Sequence, residues 1–295
     1  MIIYQASLSL RVLKMYWDIF HDRLNVLISY AYICEETYEI LFTFRHMVFK
    51  IVFDSGAWSF VRGVAIRLSL NGLIGFLQSN GFRFDIYFSY DTNFTNNGFD
   101  HNIANQIKME EAGLNPVPVV HNLFDGEIDY YVNSGKYDYI ALGSSQTTNF
   151  DDFAYAVNRI KKGNPNIKIH WFGGSKYEWL CQLPIASCDT TSWAKTGQFG
   201  EINYWNPNLS GLKKSQKIYT AGEMKDDFAS GQYHYVTYPW RDEVDKYLKD
   251  TFGLVYGDLC GYDATINMML VNLRFYAEQE KRINEERIKR GIPLE

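Results

Sequence analysis

Short runs rich in β-branched and aromatic residues alternate with helix-length stretches through most of the sequence, the pattern a parallel α/β sheet or barrel requires. Strand candidates lie at 25–30, 48–54, 83–91, 117–122, 137–142, 167–172 and 184–189, with a weaker eighth at 216–220. Helix candidates fall between them at 35–46, 66–78, 101–112, 127–133, 150–161 and 176–181. Asn149 ahead of Phe150, Asp151 and Asp152 supplies an N-cap and an acidic first turn, while Gly113 and Gly163 stand where helix C-caps belong. A final stretch, 264–289, starts apolar and ends charged, as a closing helix with a solvated end does. No linker rich in Pro, Gly or Ser divides the chain. The economical reading is therefore α/β, a single-domain (β/α)8 TIM-type barrel over 25–295, preceded by an N-terminal extension, 1–24, with no assigned role. An open doubly wound sheet is the alternative.

With 46% hydrophobic and 21% charged residues, a chain of 295 residues buries a large core, which excludes intrinsic disorder. No apolar run reaches the roughly 18–20 residues of a membrane-spanning helix, and the first residues lack the order of a signal peptide. The expectation is a soluble, cytoplasmic protein without a membrane partner. A net charge of -5 argues against a surface that grips nucleic acid everywhere, although a local basic face remains open. Cys34, Cys181, Cys188 and Cys260 are scattered, form no C-x-x-C pair, and are expected to be reduced and mostly buried. Neither a G-x-G-x-x-G nor a G-x-x-x-x-G-K-[ST] segment follows a strand candidate, so the usual dinucleotide and nucleoside triphosphate signals are missing.

In a parallel barrel the catalytic groups sit at the C-terminal ends of the strands, so the polar residues that end each apolar run are the informative ones. These are Asp54-Ser55-Gly56-Ala57-Trp58, Ser89-Tyr90-Asp91, His121-Asn122, Gly143-Ser144-Ser145-Gln146, His170-Trp171-Phe172-Gly173-Gly174 and Cys188-Asp189-Thr190. Three aspartates, Asp54, Asp91 and Asp189, then face one mouth. Any one of them is equally a helix N-cap or a turn residue; the set is harder to explain that way. Trp58 and Phe172 are either core aromatics or two faces of a slot for a heterocyclic base. Glycines at strand ends allow a planar ligand to lie against backbone amides. His121 and His170 have no third partner at metal-ligand spacing and are expected to make hydrogen bonds.

Together these segments resemble the tRNA-guanine transglycosylases, (β/α)8 barrels that exchange guanine for a 7-deazaguanine base, over roughly residues 25–205. The family's Asp-Ser-Gly-Gly-aromatic motif is similar to Asp54-Ser55-Gly56-Ala57-Trp58, with Ala57 in place of the second glycine, and its base-reading aspartate is similar to Asp91. The glutamine of its Gln-Gly segment falls near His121, its Gly-Gly-Leu turn near Leu142-Gly143-Ser144, and its Leu-Met-Gly-x-Gly segment near Trp171-Phe172-Gly173-Gly174. Its nucleophile segment resembles Cys188-Asp189-Thr190 and the following stretch to Gly197. The tRNA enzymes carry a structural zinc on a C-x-C-x-x-C and histidine cluster, whereas this region has only Cys260 and His234, so no metal or other cofactor is expected. Loss of that cluster and the short chain look most like the DNA-modifying branch found in bacteriophages and bacterial modification clusters.

The resemblance implies Asp189 as a nucleophile that traps the sugar C1′, and Asp54 as the acid that protonates the leaving base and takes the proton of the incoming one. It implies that Asp91 accepts from guanine N1 and the exocyclic amine, that the Gly143 amide donates to purine O6, and that Trp58 and Phe172 sandwich the base. His121 and His170 join the base-binding set. Lys195, Lys213 and Lys214 are candidates for holding phosphates, although a lysine run is also an ordinary solvated face. The implied partners are DNA, a free 7-deazaguanine base such as preQ0 as co-substrate, and a helper protein or a second copy of the chain. A tRNA-acting transglycosylase, a base-releasing N-glycosylase and a non-catalytic nucleic-acid-binding subunit are the alternatives.

Overall fold

The structure, a computed structural model, describes residues 1–63, 68–95, 97–143, 149–220 and 231–294. In chain order it contains β1 (Ile2–Ala6), α1 (Leu10–Phe20), β2 (Leu24–Ser29), α2 (Glu35–Phe42), β3 (Val48–Asp54), α3 (Ala57–Val61), α4 (Leu70–Asn80), β4 (Ile86–Tyr87) and α5 (Phe99–Glu111). There follow β5 (Val119–Val120), α6 (Glu127–Asn133), β6 (Tyr139–Leu142), α7 (Phe150–Gly163), β7 (Lys168–Trp171), α8 (Tyr177–Leu180), β8 (Ser187–Thr190) and α9 (Ser192–Gln198). The last elements are β9 (Glu201–Trp205), β10 (Ser215–Tyr219), β11 (Gln232–His234), α10 (Arg241–Phe252) and α11 (Ala264–Arg290). The chain forms two compact units, one of Met1–Ser7, Arg23–Thr190 and Ile283–Glu295, the other of Leu8–Asp22 and Thr191–Arg282.

The first unit is an eight-stranded sheet in the order β4-β3-β2-β1-β8-β7-β6-β5. Every neighbouring pair is parallel, as helical crossovers between successive strands demand. The sheet curls as an open half-barrel rather than the closed barrel expected, and among the described residues an isolated parallel bridge links Phe88, just past β4, with Val117, just before β5. Two backbone bonds make that bridge: Ser89 N–H to the Val117 carbonyl at 2.9 Å and Val117 N–H to the Tyr87 carbonyl at 2.8 Å. Alternate residues of the strands fill the concave side, where Tyr4, Leu27, Val52, Phe88, Val119 and Ala141 form one buried cluster. This packed interior leaves the strand ends as the place for polar groups.

The eighth strand of this sheet is β1, between β2 and β8, and not the segment expected at 216–220. Residues 1–24 are therefore no appendage: they contain a central strand, β1, followed by α1 and the start of β2. The sequence hides β1 because Ile2–Ala6 is short, carries Gln5, and runs into the apolar start of α1 with only Ser7 to Ser9 between them. Segment 216–220 is a strand for another reason. β10 pairs antiparallel with β9 and parallel with β11 in a separate three-stranded sheet of the second unit. There Asn272 of α11 holds the sheet, its Oδ1 accepting Asn203 N–H at 2.6 Å and its Nδ2 donating to the Glu201 carbonyl at 3.0 Å.

Local signals hold at several helix ends. The Asn149 side chain accepts Asp152 N–H at 2.9 Å as the cap of α7, and Gly113, with φ +81°, follows α5 in the left-handed region. Gly163 is different. It is the last residue of α7, with Asn164 as the cap, and a Cβ there would lie 2.4 Å from Val132 Cγ1, so close helix packing rather than a left-handed turn requires glycine. The expected helix at 66–78 is observed as α4, beginning at Leu70; residues 66 and 67 lie outside the described residues. None of the four cysteines is in a disulfide, with Cys181 and Cys188 buried and Cys34 and Cys260 exposed, so only half of them follow the expected burial. No helix among the described residues is long and apolar enough to cross a membrane.

One buried cation secures the entry to β8. Arg287, in the last turns of α11, is fully buried and donates to the carbonyls of Leu180, Leu183 and Ile185 at 2.6, 2.6 and 2.7 Å. These carbonyls lie on the turn between α8 and β8, so the guanidinium fixes the path of the chain just ahead of Asp189. Each bond joins a charged donor to a buried acceptor, and losing such a partner costs about 1–3 kcal/mol. Arg287→Met is therefore expected to lower the unfolding free energy by about 3 kcal/mol or more, read as a lower urea midpoint at unchanged slope.

Candidate active site

Parallel strands deliver their last side chains to the same edge, and here that edge collects carboxylates. Asp54 ends β3, Asp91 follows β4 and Asp189 lies in β8. Each is supplied with donors of its own. Asp54 Oδ2 accepts from Ser29 Oγ at 2.9 Å and from Gly56 N–H at 3.1 Å. Register aligns Ser29 with Asp54 across β2 and β3, which is why the hydroxyl meets the carboxylate. Gly56 has φ +76°, and a Cβ there would lie 2.7 Å from the Ala31 amide, so only glycine bends the chain back to offer that N–H. Asp91 is buried, with Oδ1 taking Ser55 Oγ at 3.1 Å and Oδ2 facing His121 Nε2 at 2.9 Å. His121 is itself placed by its backbone N–H, which donates to Glu127 Oε2 at 2.9 Å.

Asp189 is arranged differently. Its Oδ1 accepts Gly173 N–H at 2.8 Å and lies 3.3 Å from His170 Nε2, while its Oδ2 takes no hydrogen bond from a described residue. The residue as a whole is 8% exposed. Gly173, with φ +62°, turns the chain after β7, and Gly174 beside it has no room for a Cβ, which would lie 1.9 Å from Trp171 Cδ2. The Gly-Gly pair thus aims one amide at the carboxylate and gives way to an aromatic ring.

The shared mouth perturbs the ionisable groups. Burial, with the charge of Asp91 and to a smaller extent that of Asp189, pushes the Asp54 carboxyl from 3.8 up to about 7, against the opposing bonds from Ser29 and Gly56. Burial disfavours the charged form of His121, yet its bond to Asp91, the charge of Asp91 and that of Glu127 carry its pKa above the ordinary histidine value. Burial likewise raises Glu127. A carboxyl that keeps its proton to neutrality is suited to giving a proton to a leaving group and taking it back.

The structure brings Asp54, Asp91, Asp189, His121 and His170 into one unit and gives the other expected residues different surroundings. The Gly143 amide donates to the Val120 carbonyl at 2.9 Å, so it is not available to a purine O6 as expected; the strand ladder takes it. Ser144, Ser145 and Gln146 lie outside the described residues. Trp58 and Phe172 each pack against other rings. Trp58 is 53% exposed and meets Phe94 edge-on, and Phe94 in turn meets His121 edge-on at 4.6 Å. Phe172 is half-buried against Phe88 and His170, as part of the interior packing. His170 is fully buried with both ring nitrogens engaged, so it lies beneath Asp189 and not on a base-binding surface. Lys195, on α9, and Lys213 and Lys214, ahead of β10, belong to the second unit.

Sequence reasoning missed Ser29, Phe94, Glu127 and the Gly173 amide. Ser29 carries a usable signal, since it ends the strand before Asp54's, as a polar terminator of the same kind. The others act through contacts that no spacing announces. Among the described residues no group of three or more His, Cys, Asp or Glu side chains is placed to hold a metal ion. Compared with known proteins, the chain matches no family model, and no curated protein matches it.

The raised Asp54 carboxyl has a consequence for stability. Between about pH 4 and 7 the folded protein holds a proton that the unfolded chain releases, so folding stability falls as pH rises through that window and stays lower above it. Asp54→Asn removes this dependence. Thermal melts from pH 4 to pH 8 are expected to show a smaller decline for Asp54→Asn than for the wild type, with the variant relatively more stable above pH 7.

Proposed function

We propose that this protein is a base-exchanging transglycosylase that replaces guanine in DNA with a 7-deazaguanine base through an aspartyl-glycosyl intermediate. The observation that carries the reading is the pairing, in one mouth, of a carboxyl held protonated to about neutrality, Asp54, with a carboxylate, Asp189, anchored through one oxygen and open at the other. The curled parallel sheet supports placing the reactive groups at the strand ends, as in a (β/α)8 barrel. The resemblance of the strand-end segments to the transglycosylases, and to their DNA-modifying branch, supports the choice of reaction and polymer.

Asp189 Oδ2 attacks C1′ as the C1′–N bond breaks, and the bonding pair leaves with the base. Asp54 gives its proton to that base. The incoming 7-deazaguanine then surrenders a proton to Asp54 and attacks C1′, releasing Asp189 as a carboxylate. No net proton or electron is consumed, so exchange runs without an energy source. Asp91, with capacity left on both oxygens beyond its two donors, accepts from the N–H edge of the base. The target base leaves the stack or is single-stranded when it enters.

Incubating the protein with DNA or tRNA carrying radiolabelled guanine, plus a free 7-deazaguanine base, tests this reading. Label release from DNA that depends on the added base and falls at least ~1000-fold in Asp189→Asn is expected. Release from tRNA alone moves the polymer to RNA, and release without added base, leaving an abasic site, means hydrolysis. Because the first half-reaction needs the Asp54 proton, release of guanine declines as pH rises through about 7, and Asp54→Asn loses both the rate and that dependence.

A further inference from the structure

Beneath Asp189 runs a polar chain, buried at His170 and Ser187 and partly buried at Tyr139, that the exchange reaction leaves without a role. His170 Nδ1 lies 2.7 Å from Ser187 Oγ, and Ser187 Oγ lies 2.8 Å from the Tyr139 hydroxyl. The three residues come from adjacent strands, β6, β7 and β8, and register sets His170 opposite Ser187. His170 and Ser187 are fully buried. Apolar rings pack on the imidazole, with Phe88 and Phe172 at 4.8 and 4.7 Å between ring centroids. Polar groups in such surroundings are costly unless every one is paired, so the direction of each hydrogen bond matters.

Only one neutral arrangement satisfies the whole chain. A carboxylate only accepts, so the proton facing Asp189 Oδ1 must sit on His170 Nε2. Nδ1 of a neutral imidazole then accepts, and its donor is the Ser187 hydroxyl. Ser187 Oγ in turn accepts from the Tyr139 O–H. We infer that the Tyr139–Ser187–His170 chain is a positioning device that fixes His170 in its Nε2–H form, so that it and the Gly173 amide hold Asp189 Oδ1 and turn Oδ2 toward the sugar. The inference rests on Asp189 being the nucleophile. During attack the proton stays on Nε2, Oδ2 forms the bond to C1′, and Oδ1 keeps its two donors; when C1′ departs, those donors receive the returning negative charge. His170 is a positioning residue, since it touches neither base nor sugar.

Two measurements on the full chain test this separately from the exchange reaction. With nitrogen-15 in its histidines, the His170 signal is the one missing from His170→Gln. A neutral ring protonated at Nε2 is expected in the wild type, and in Ser187→Ala the same tautomer with its Nδ1 signal displaced by loss of the hydrogen bond that Nδ1 accepts, with a smaller displacement in Tyr139→Phe. An imidazolium, an Nδ1–H ring, or indifference to Ser187→Ala overturns the chain whatever the protein's activity. The second measurement traps the covalent adduct in single turnovers with guanine-containing DNA. His170→Phe is expected to form it roughly 10–100-fold more slowly at unchanged KM, as for loss of one hydrogen bond to a charged group. His170→Gln, whose amide places an N–H near Nε2, recovers most of the rate; a packing role alone favours phenylalanine instead. Adduct formation by His170→Phe at the wild-type rate overturns the inference. A wild type that forms no adduct with DNA or tRNA defeats the proposed reaction, and the tautomer measurement still decides the chain.

Discussion

Carboxylates of like charge in a poorly hydrated mouth repel one another, and the surroundings of the site are arranged around that constraint. Each aspartate meets it with a different set of donors. Asp91 takes a hydroxyl and an imidazole, Asp54 takes a hydroxyl and a backbone amide, and Asp189 takes an amide and an imidazole on a single oxygen. Asp54 is left holding a proton that its neighbours discourage it from losing. One group able to give a proton and another with an open oxygen then stand in the same mouth, which is the division of labour that cleavage of a glycosidic bond needs.

Two of the donors, Ser29 and His170, stand on strands of the sheet. Ser29 is aligned with Asp54 by the β2–β3 register, Ser187 with His170 by the β7–β8 register, and the entry to β8 is pinned by Arg287. Parallel strands bring residues distant in sequence to the same level, so a hydroxyl on one strand is set against an acid or an imidazole on the next. Two glycine turns supply what side chains cannot, since Gly56 and Gly173 each bend at positive φ and aim an amide at a carboxylate.

Much of this was legible beforehand. Seven strands of the large sheet were readable because buried parallel strands are continuous apolar runs bounded by polar and glycine punctuation. The aspartates were readable because each terminates such a run. β1 was not, since a five-residue strand abutting an apolar helix has no boundary signal, and segment 216–220 misled because strand propensity does not say which sheet a strand joins. The roles of Gly143, Phe172 and His170 failed for a shared reason. Position at a strand end does not reveal whether an amide is taken by the ladder or whether a ring points inward.

The sequence by itself determined the α/β alternation and the set of acids at the strand ends, because both follow from local periodicity and from where apolar runs stop. Tertiary structure alone decided that β1 lies at the centre of the sheet, that Asp54 is driven toward neutrality by Asp91 and Asp189, and that His170 serves Asp189. These depend on distances between residues far apart in the chain, and on the burial that folding creates. Electrostatic shifts and hydrogen-bond direction arise only once strands are in register and water is excluded.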